Sequence, residues 1–224
     1  MPRVATALSW SGGKDSALAL WTLRRNGAPP DLLLTTVDEA THTVPHHGVS
    51  ADLLRAQAHA AGLSLHTIAI PPAASNASYE DRLRAAFATS PLDAVTTVAF
   101  GDLFLEDLRA YREARMAEAG RTAAFPLWGR DSAALARTFV AHGYAALIVA
   151  VDGEQLSHDL LGRRFDMRLL RDLPPTADPC GENGELHTFV HAGPIFDRPL
   201  AVAPGARTTS ADGRFAYLEV QLIG

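Results

Sequence analysis

Ser9-Trp10-Ser11-Gly12-Gly13-Lys14-Asp15-Ser16 decides how this chain is read. The apolar run at residues 4–10 leads into it and reads as a buried first strand. From Lys14 an amphipathic stretch follows, with Ala17, Leu18, Leu20, Trp21 and Leu23 on its apolar side and Gly27 as its stop, which predicts a helix. A strand, a glycine loop and a helix in that order make an anion site. The two glycines let the backbone approach a charged ligand and turn its N–H groups inward. The helix N-terminus adds partial positive charge. Ser11 and Ser16 supply hydroxyls and Lys14 an ammonium; a Gly-Gly turn that only caps a helix is the plain structural alternative.

Lys14 is the only lysine; the other 19 of the 20 basic residues are arginine. A composition that uses arginine everywhere else and keeps lysine here points to a need for a compact ammonium, because the two cations are not interchangeable at a phosphate. The loop is not a Walker A motif. That pattern wants Ser or Thr after the lysine and a glycine at position 8, where this chain has Asp15 and Leu8. It is not a dinucleotide fingerprint either.

Outward from the loop, strand and helix patterns alternate. Strands are expected at residues 32–37 (closed by Asp38), 65–70 and 95–100, with a short one at 123–127 and another at 145–151. Helices are expected at 52–61, 79–88, 105–119 and 132–142. This predicts an α/β fold with a doubly wound, mainly parallel sheet of the Rossmann-like kind, holding its ligand at the carboxyl ends of the strands. After residue 153 the pattern changes. Residues 155–173 read as partly helical, and strands are expected at 185–190, 200–202 and 214–222, with Asp212-Gly213 as a hairpin turn. Two regions follow: 1–153 as the loop-bearing α/β domain, and 154–224 as a smaller β-rich C-terminal extension on the substrate side.

At 47% hydrophobic residues, the 224-residue chain carries enough apolar side chains for a sizeable core. A net charge of −5 argues against a nucleic-acid surface. One cysteine, Cys180, rules out an intrachain disulfide and a cysteine-held cluster. It reads as a buried small side chain rather than a nucleophile. With no signal-peptide pattern at the N-terminus and no apolar run near the ~20 residues of a membrane span, a cytoplasmic protein is expected.

Three further stretches carry polar chemistry. Residues 101–112, Gly-Asp-Leu-Phe-Leu-Glu-Asp-Leu-Arg-Ala-Tyr-Arg, start at a strand end, with Asp102 where the cleft opens and Glu106 and Arg109 on one helix face. A solvated face with ordinary ion pairs fits that spacing equally well. Residues 126–131, Pro-Leu-Trp-Gly-Arg-Asp, offer Trp128 for stacking and Arg130 as a guanidinium, although a lone Trp is usually core. Residues 178–188, Asp-Pro-Cys-Gly-Glu-Asn-Gly-Glu-Leu-His-Thr, gather three carboxylates, an amide and an imidazole in one loop.

Ser-Gly-Gly-Lys-Asp-Ser resembles the PP-loop of the ATP pyrophosphatase superfamily (adenine nucleotide alpha hydrolase-like, the HUP group). Together with the three stretches above, the chain as far as Phe196 resembles the diphthine–ammonia ligase family. Its Asp-Pro-Cys-Gly-Glu-Asn-Gly-Glu form is similar to the bacterial branch. The resemblance implies an ATP-dependent, AMP-forming amide ligase that adenylates a substrate carboxylate, releases pyrophosphate and amidates with ammonia. It implies an ATP site at Ser9, Ser11, Gly12, Gly13, Lys14, Asp15 and Ser16, joined by Val37, His47 and Gly101, with His46-His47-Gly48 before the second helix. Magnesium is implied at the phosphates, reached through Asp15. Lys14, Asp15, Asp102, Glu106, Glu182 and Glu185 are the implied catalytic groups. Arg109, Tyr111, Trp128, Arg130, Asn183, Gly184, His187 and Thr188 are implied on the substrate side. The partners are then ATP, ammonium and a carboxylate on a small molecule or protein. Glutamine-fed synthetases of the superfamily carry an N-terminal cysteine where this chain has Pro2, so free ammonia is the simpler nitrogen source, and one cysteine weakens a thiolation enzyme. A nucleotide sensor without catalysis, a PP-loop enzyme for another small molecule or RNA, and a homodimer through the β-rich end stay open on this reading.

Overall fold

The computed structural model describes residues 5–45 and 47–223. The expected Val4 end of the first strand and His46 lie outside them.

The first half alternates as its pattern requires: β1 (Ala5–Ser9), α1 (Lys14–Arg25), β2 (Leu32–Asp38), α2 (Ala51–Ala60), β3 (Ser64–Ile70), α3 (Asn76–Phe87), β4 (Val95–Ala99), α4 (Glu106–Glu118) and β5 (Thr122–Ala124). The five strands form one parallel sheet in the order β3-β2-β1-β4-β5. Leu32, Leu33 and Leu34 are all buried in β2, as expected of a strand with both faces covered. Side-chain alternation divides the core. Leu8 and Leu33 point to the face carrying α1 and α2. Ala7, Leu32 and Leu34 point to the other face, with Phe87 of α3 and Met116 of α4. The strand order reverses at β1, so a crevice opens beyond the ends of β1 and β4, where ligands of such sheets sit.

The second half adds α5 (Ser132–Ala141), β6 (Ala145–Asp152), α6 (Met167–Asp172), β7 (Leu186–Ala192), β8 (Val202–Thr209) and β9 (Phe215–Leu222). These four strands form a separate antiparallel sheet, order β7-β6-β9-β8. Here the strand at 145–151 departs from the expectation. The alternation reads it as one more strand of the parallel sheet, whereas β6 is an interior strand of the second sheet. An apolar run records that a strand is buried on both faces, not which sheet buries it. The expected strand at 200–202 is longer and later. β8 is an edge strand with a register shift between Pro204 and Arg207, so it tolerates proline and polar residues and shows little apolar signal. The stretch 155–173 is a 3-10 turn at His158–Leu160 followed by the short α6.

The second sheet does not stand apart. Phe189, Val190 and Leu218 share one core with Leu18, Leu54 and Leu8. This packing brings β7 against the loop between β1 and α1. No helix among the described residues is long and apolar enough to cross a membrane.

Candidate active site

Helix α2 is capped by Ser50, whose side chain accepts from the Leu53 N–H, and α5 by Asp131, which accepts from the Ala134 N–H. Helix α1 has no such side-chain cap; its N-cap is Gly13. The groups around its first turn are satisfied from elsewhere, and those partners define the site.

The Gly12 carbonyl accepts from the Val190 N–H of β7 at 2.9 Å and from Gln57 Nε2 of α2 at 3.0 Å. The Lys14 N–H donates to Thr188 Oγ1 at 3.0 Å. On the opposite side the Gly13 N–H meets Ser11 Oγ at 3.3 Å, and Ser16 Oγ donates to the Gly13 carbonyl at 2.9 Å. Gly12 has φ +78°, and a Cβ there would lie 2.5 Å from Leu54 Cδ2. At Gly101 a Cβ would come within 3.1–3.2 Å of the Asp15–Ser16 backbone, so the end of β4 rests directly on the loop. The PP-loop is thus held from three sides, one of them in the C-terminal sheet.

Lys14 is oriented otherwise than a lysine poised over an open phosphate loop. It is 2% exposed. Its ammonium bonds Asp15 Oδ2 at 2.7 Å and the Cys180 carbonyl. Burial works against this ammonium, but Asp15, Cys180 and Glu182 together more than offset it and hold its pKa above the ordinary lysine value. Burial raises the Asp15 carboxyl more than Lys14 lowers it. Asp15 Oδ1 is buried with no hydrogen-bond partner among the described residues.

The loop at 178–185 presents one carboxylate to this cluster and spends another on itself. Glu182 Oε1 accepts from the Leu103 N–H at 2.7 Å. Burial, with the charges of Asp15 and Asp102, lifts its pKa to about 7 against the donated backbone bond. Asp102 is held by Arg112 at 2.7 Å, and burial still raises its carboxyl. Glu185 turns inward. It is 1% exposed and accepts from the N–H groups of Asp178 and Asn183 and from Asn183 Nδ2. These bonds fold the loop. Thr188 is buried, and its hydroxyl accepts from the Lys14 N–H and so supports the PP-loop. The Cys180 thiol is pushed up to about 12 by burial and contacts the Ser132 carbonyl, so it stays protonated at neutral pH.

Beside the loop lies a cleft of about 650 Å³. Ser9, Trp10 and Ser11 form its floor at the end of β1. Thr35, Thr36 and Asp38 come from β2, and Ile70 from β3. Phe100 follows β4, and Tyr79, Tyr111, Arg112 and Arg115 come from α3 and α4. Apolar walls with a few polar groups suit a flat, polar-edged ring such as a nucleobase. His47 also lines it and lies against His187 of β7, ring centroids 4.2 Å apart and the planes tilted by 34°. Val37 does not reach it; its side chain is buried in the core on the other face of β2.

Other expected residues stand elsewhere. Glu106 is exposed in the first turn of α4, and it is Glu113, not Glu106, that pairs with Arg109. Arg109 lies over the rings of Phe125 and Trp128, which occupies Trp128 as a guanidinium platform. Arg130, Asn183 and Gly184 are on or near the surface. Gln57, Thr35 and Arg115 were not legible as site residues. Each sits in a helix or strand pattern with no motif, and only the packing of α2, β2 and α4 around the crevice brings it in.

The diphthamide synthase N-terminal domain model matches residues 4–122, and the C-terminal domain model matches residues 131–221. This chain belongs to the diphthamide synthase family. No curated protein matches the chain. In this diphthamide synthase family member, the boundary between the two matched regions falls before α5, and the loop-bearing sheet and the clamping sheet come from different regions. Membership places the chain in a PP-loop, ATP-using ligase family, consistent with the loop geometry above.

Proposed function

We propose that the chain is an AMP-forming amide ligase, which adenylates a carboxylate on a small molecule or protein and then amidates it with ammonia. The observation that carries this reading is Glu182. A carboxyl with a pKa of about 7 is held beside Asp15 and Asp102, at the edge of a phosphate loop.

The substrate carboxylate attacks the α-phosphorus, the α–β phosphoanhydride bond breaks, and pyrophosphate leaves. Ammonia then attacks the acyl carbon and AMP departs with the bonding pair. The Gly13 N–H and the Ser11 and Ser16 hydroxyls orient the phosphates, and the apolar cleft holds the base. Lys14, fixed behind the loop, supplies positive charge without leaving the Cys180 carbonyl. Glu182 takes the proton that ammonium must lose before it attacks, a role suited to a base titrating near neutrality. The residues fit a magnesium ion brought by the nucleotide rather than a protein cage. No group of three His, Cys, Asp or Glu is placed to hold a metal among the described residues, while the orphaned Asp15 Oδ1 offers one oxygen. Bound there, the ion neutralises phosphate charge. Most of the acceleration then comes from positioning and preorganised charge.

The test is product analysis with ATP, magnesium, ammonium and fractionated bacterial extract, with Asp15→Ala in parallel. AMP and pyrophosphate that require one fraction and disappear in the variant are expected. ADP as the product would overturn the mechanism. ATP binding without turnover from any fraction would favour a nucleotide sensor.

A further inference from the structure

Gln57 has no part in the chemistry above and touches no cleft residue's charge, yet it is 0% exposed. Its side-chain hydrogen bonds run to the PP-loop and its preceding strand end on one side and to β7 on the other. Oε1 accepts from Trp10 Nε1 at 2.9 Å. Nε2 donates to the Gly12 carbonyl at 3.0 Å and to the Val190 carbonyl at 2.6 Å. The Trp10 bond fixes which end of the amide is which, because an indole N–H only donates and so requires Oε1 facing it. That orientation leaves both Nε2 protons for the two carbonyls.

The consequence lies in the peptide between Gly12 and Gly13. In a trans peptide the C=O and the following N–H point in opposite directions. Gln57 and the Val190 N–H anchor the Gly12 oxygen inward, so the Gly13 N–H is directed outward, to the side of Ser11 Oγ. A flipped peptide would present the carbonyl instead and repel an anion. Gly12, at φ +78°, is free to flip on its own account. Something outside the loop must choose the orientation, and the only side chain donating to this oxygen among the described residues is Gln57.

We infer that Gln57 is a positioning residue for phosphate recognition: it locks the Gly12–Gly13 peptide with its N–H toward the nucleotide phosphates and joins the loop to β7. This rests on the phosphate-loop reading and does not depend on which carboxylate is amidated.

The experiment compares ligands that differ only in phosphate. Calorimetric titration with ATP, inorganic pyrophosphate and adenosine, in magnesium, is run on the wild-type chain and on Gln57→Glu. Glutamate keeps the shape of the side chain but loses the paired donors. ATP and pyrophosphate affinity are expected to fall roughly 10- to 100-fold, with adenosine affinity nearly unchanged. Gln57→Met is the second variant, for the case in which Gln57→Glu does not fold. It keeps the length of the side chain, removes both donors without adding a charge or touching the cleft lining, and is expected to give a loss again confined to ATP and pyrophosphate. Equal losses for ATP and adenosine in these variants would mean a merely structural role and overturn the inference, as would unchanged ATP affinity. A wild-type chain that binds adenosine as tightly as ATP would instead overturn the phosphate-loop reading itself, and the inference with it.

Discussion

Glu182 is the residue at which this site's electrostatics become measurable. Its carboxyl titrates near 7 in the folded chain, against 4.5 for an ordinary glutamate, first because it is buried and then because Asp15 and Asp102 stand near it. The sign follows. The fold favours the protonated form, so the stabilisation is complete below pH 4.5 and is lost as pH rises through about 7. In the proposed mechanism, the base that deprotonates ammonium grows in over the same interval. AMP formation should therefore rise with pH along a limb near 7. Glu182→Gln should abolish that limb and lower the rate by about 10²-fold or more, while melting at a higher temperature than wild type at pH 8. An unaltered limb in the variant would assign it to another group. Glu185, three residues on, shows how little spacing reveals. Both are glutamates of one loop, and only the direction of the backbone makes one a half-buried carboxyl beside Asp15 and the other a structural acceptor.

At the scale of the element, the glycine loop works because neighbouring elements press on it. Gly12→Ala would force a left-handed backbone on a side chain and drive a Cβ to 2.5 Å from Leu54 and 2.7 Å from Gln57 of α2. We expect a cost of roughly 2–4 kcal/mol in urea unfolding. Gly27→Ala is the control: its φ is +71° but nothing lies within 4 Å of the added Cβ, so only the backbone term of about 1 kcal/mol remains. Equal costs at the two positions would show that α2 does not press on the loop. Strand, loop and helix were legible from residues 4–27 alone, because a buried apolar run, a Gly-Gly pair and a 3.6-residue periodicity are local properties. That α2 and β7 clamp the loop was not legible, because Gln57 is an ordinary helix residue until it is packed against Trp10 and Val190.

At the scale of the molecule, the second sheet has its own electrostatic fastening. Asp152 at the end of β6 is 1% exposed and holds Arg214 in a two-point pair, 3.0 and 2.7 Å. The Arg214 bonds first, with help from Gln155 and the Glu154 N–H, hold its carboxyl down to about 2. A depressed carboxylate stabilises the fold above its ordinary value of 3.8, and that stabilisation disappears as pH falls towards 2. Arg214→Leu should therefore lower the melting temperature at pH 7 and flatten its pH dependence between 4 and 2. A wild-type-like acid limb in the variant would mean that other carboxylates govern it. Because β7 of this sheet carries Thr188 and Val190, loosening the fastening should also weaken ATP binding.

The sequence by itself determined the α/β alternation, the anion-binding loop at Ser11–Ser16 and the family, because each is written in short-range pattern and in contiguous motifs. Only the tertiary structure decided that β6 joins a second sheet, that Lys14 turns inward to the Cys180 carbonyl, and that Thr188 and Glu185 are supports while Glu182 faces the loop. The physical reason is that burial and partner choice are set by residues far apart in the chain. Lys14 meets Cys180 across 166 positions, and Gln57 meets Val190 across 133. No local periodicity carries that information.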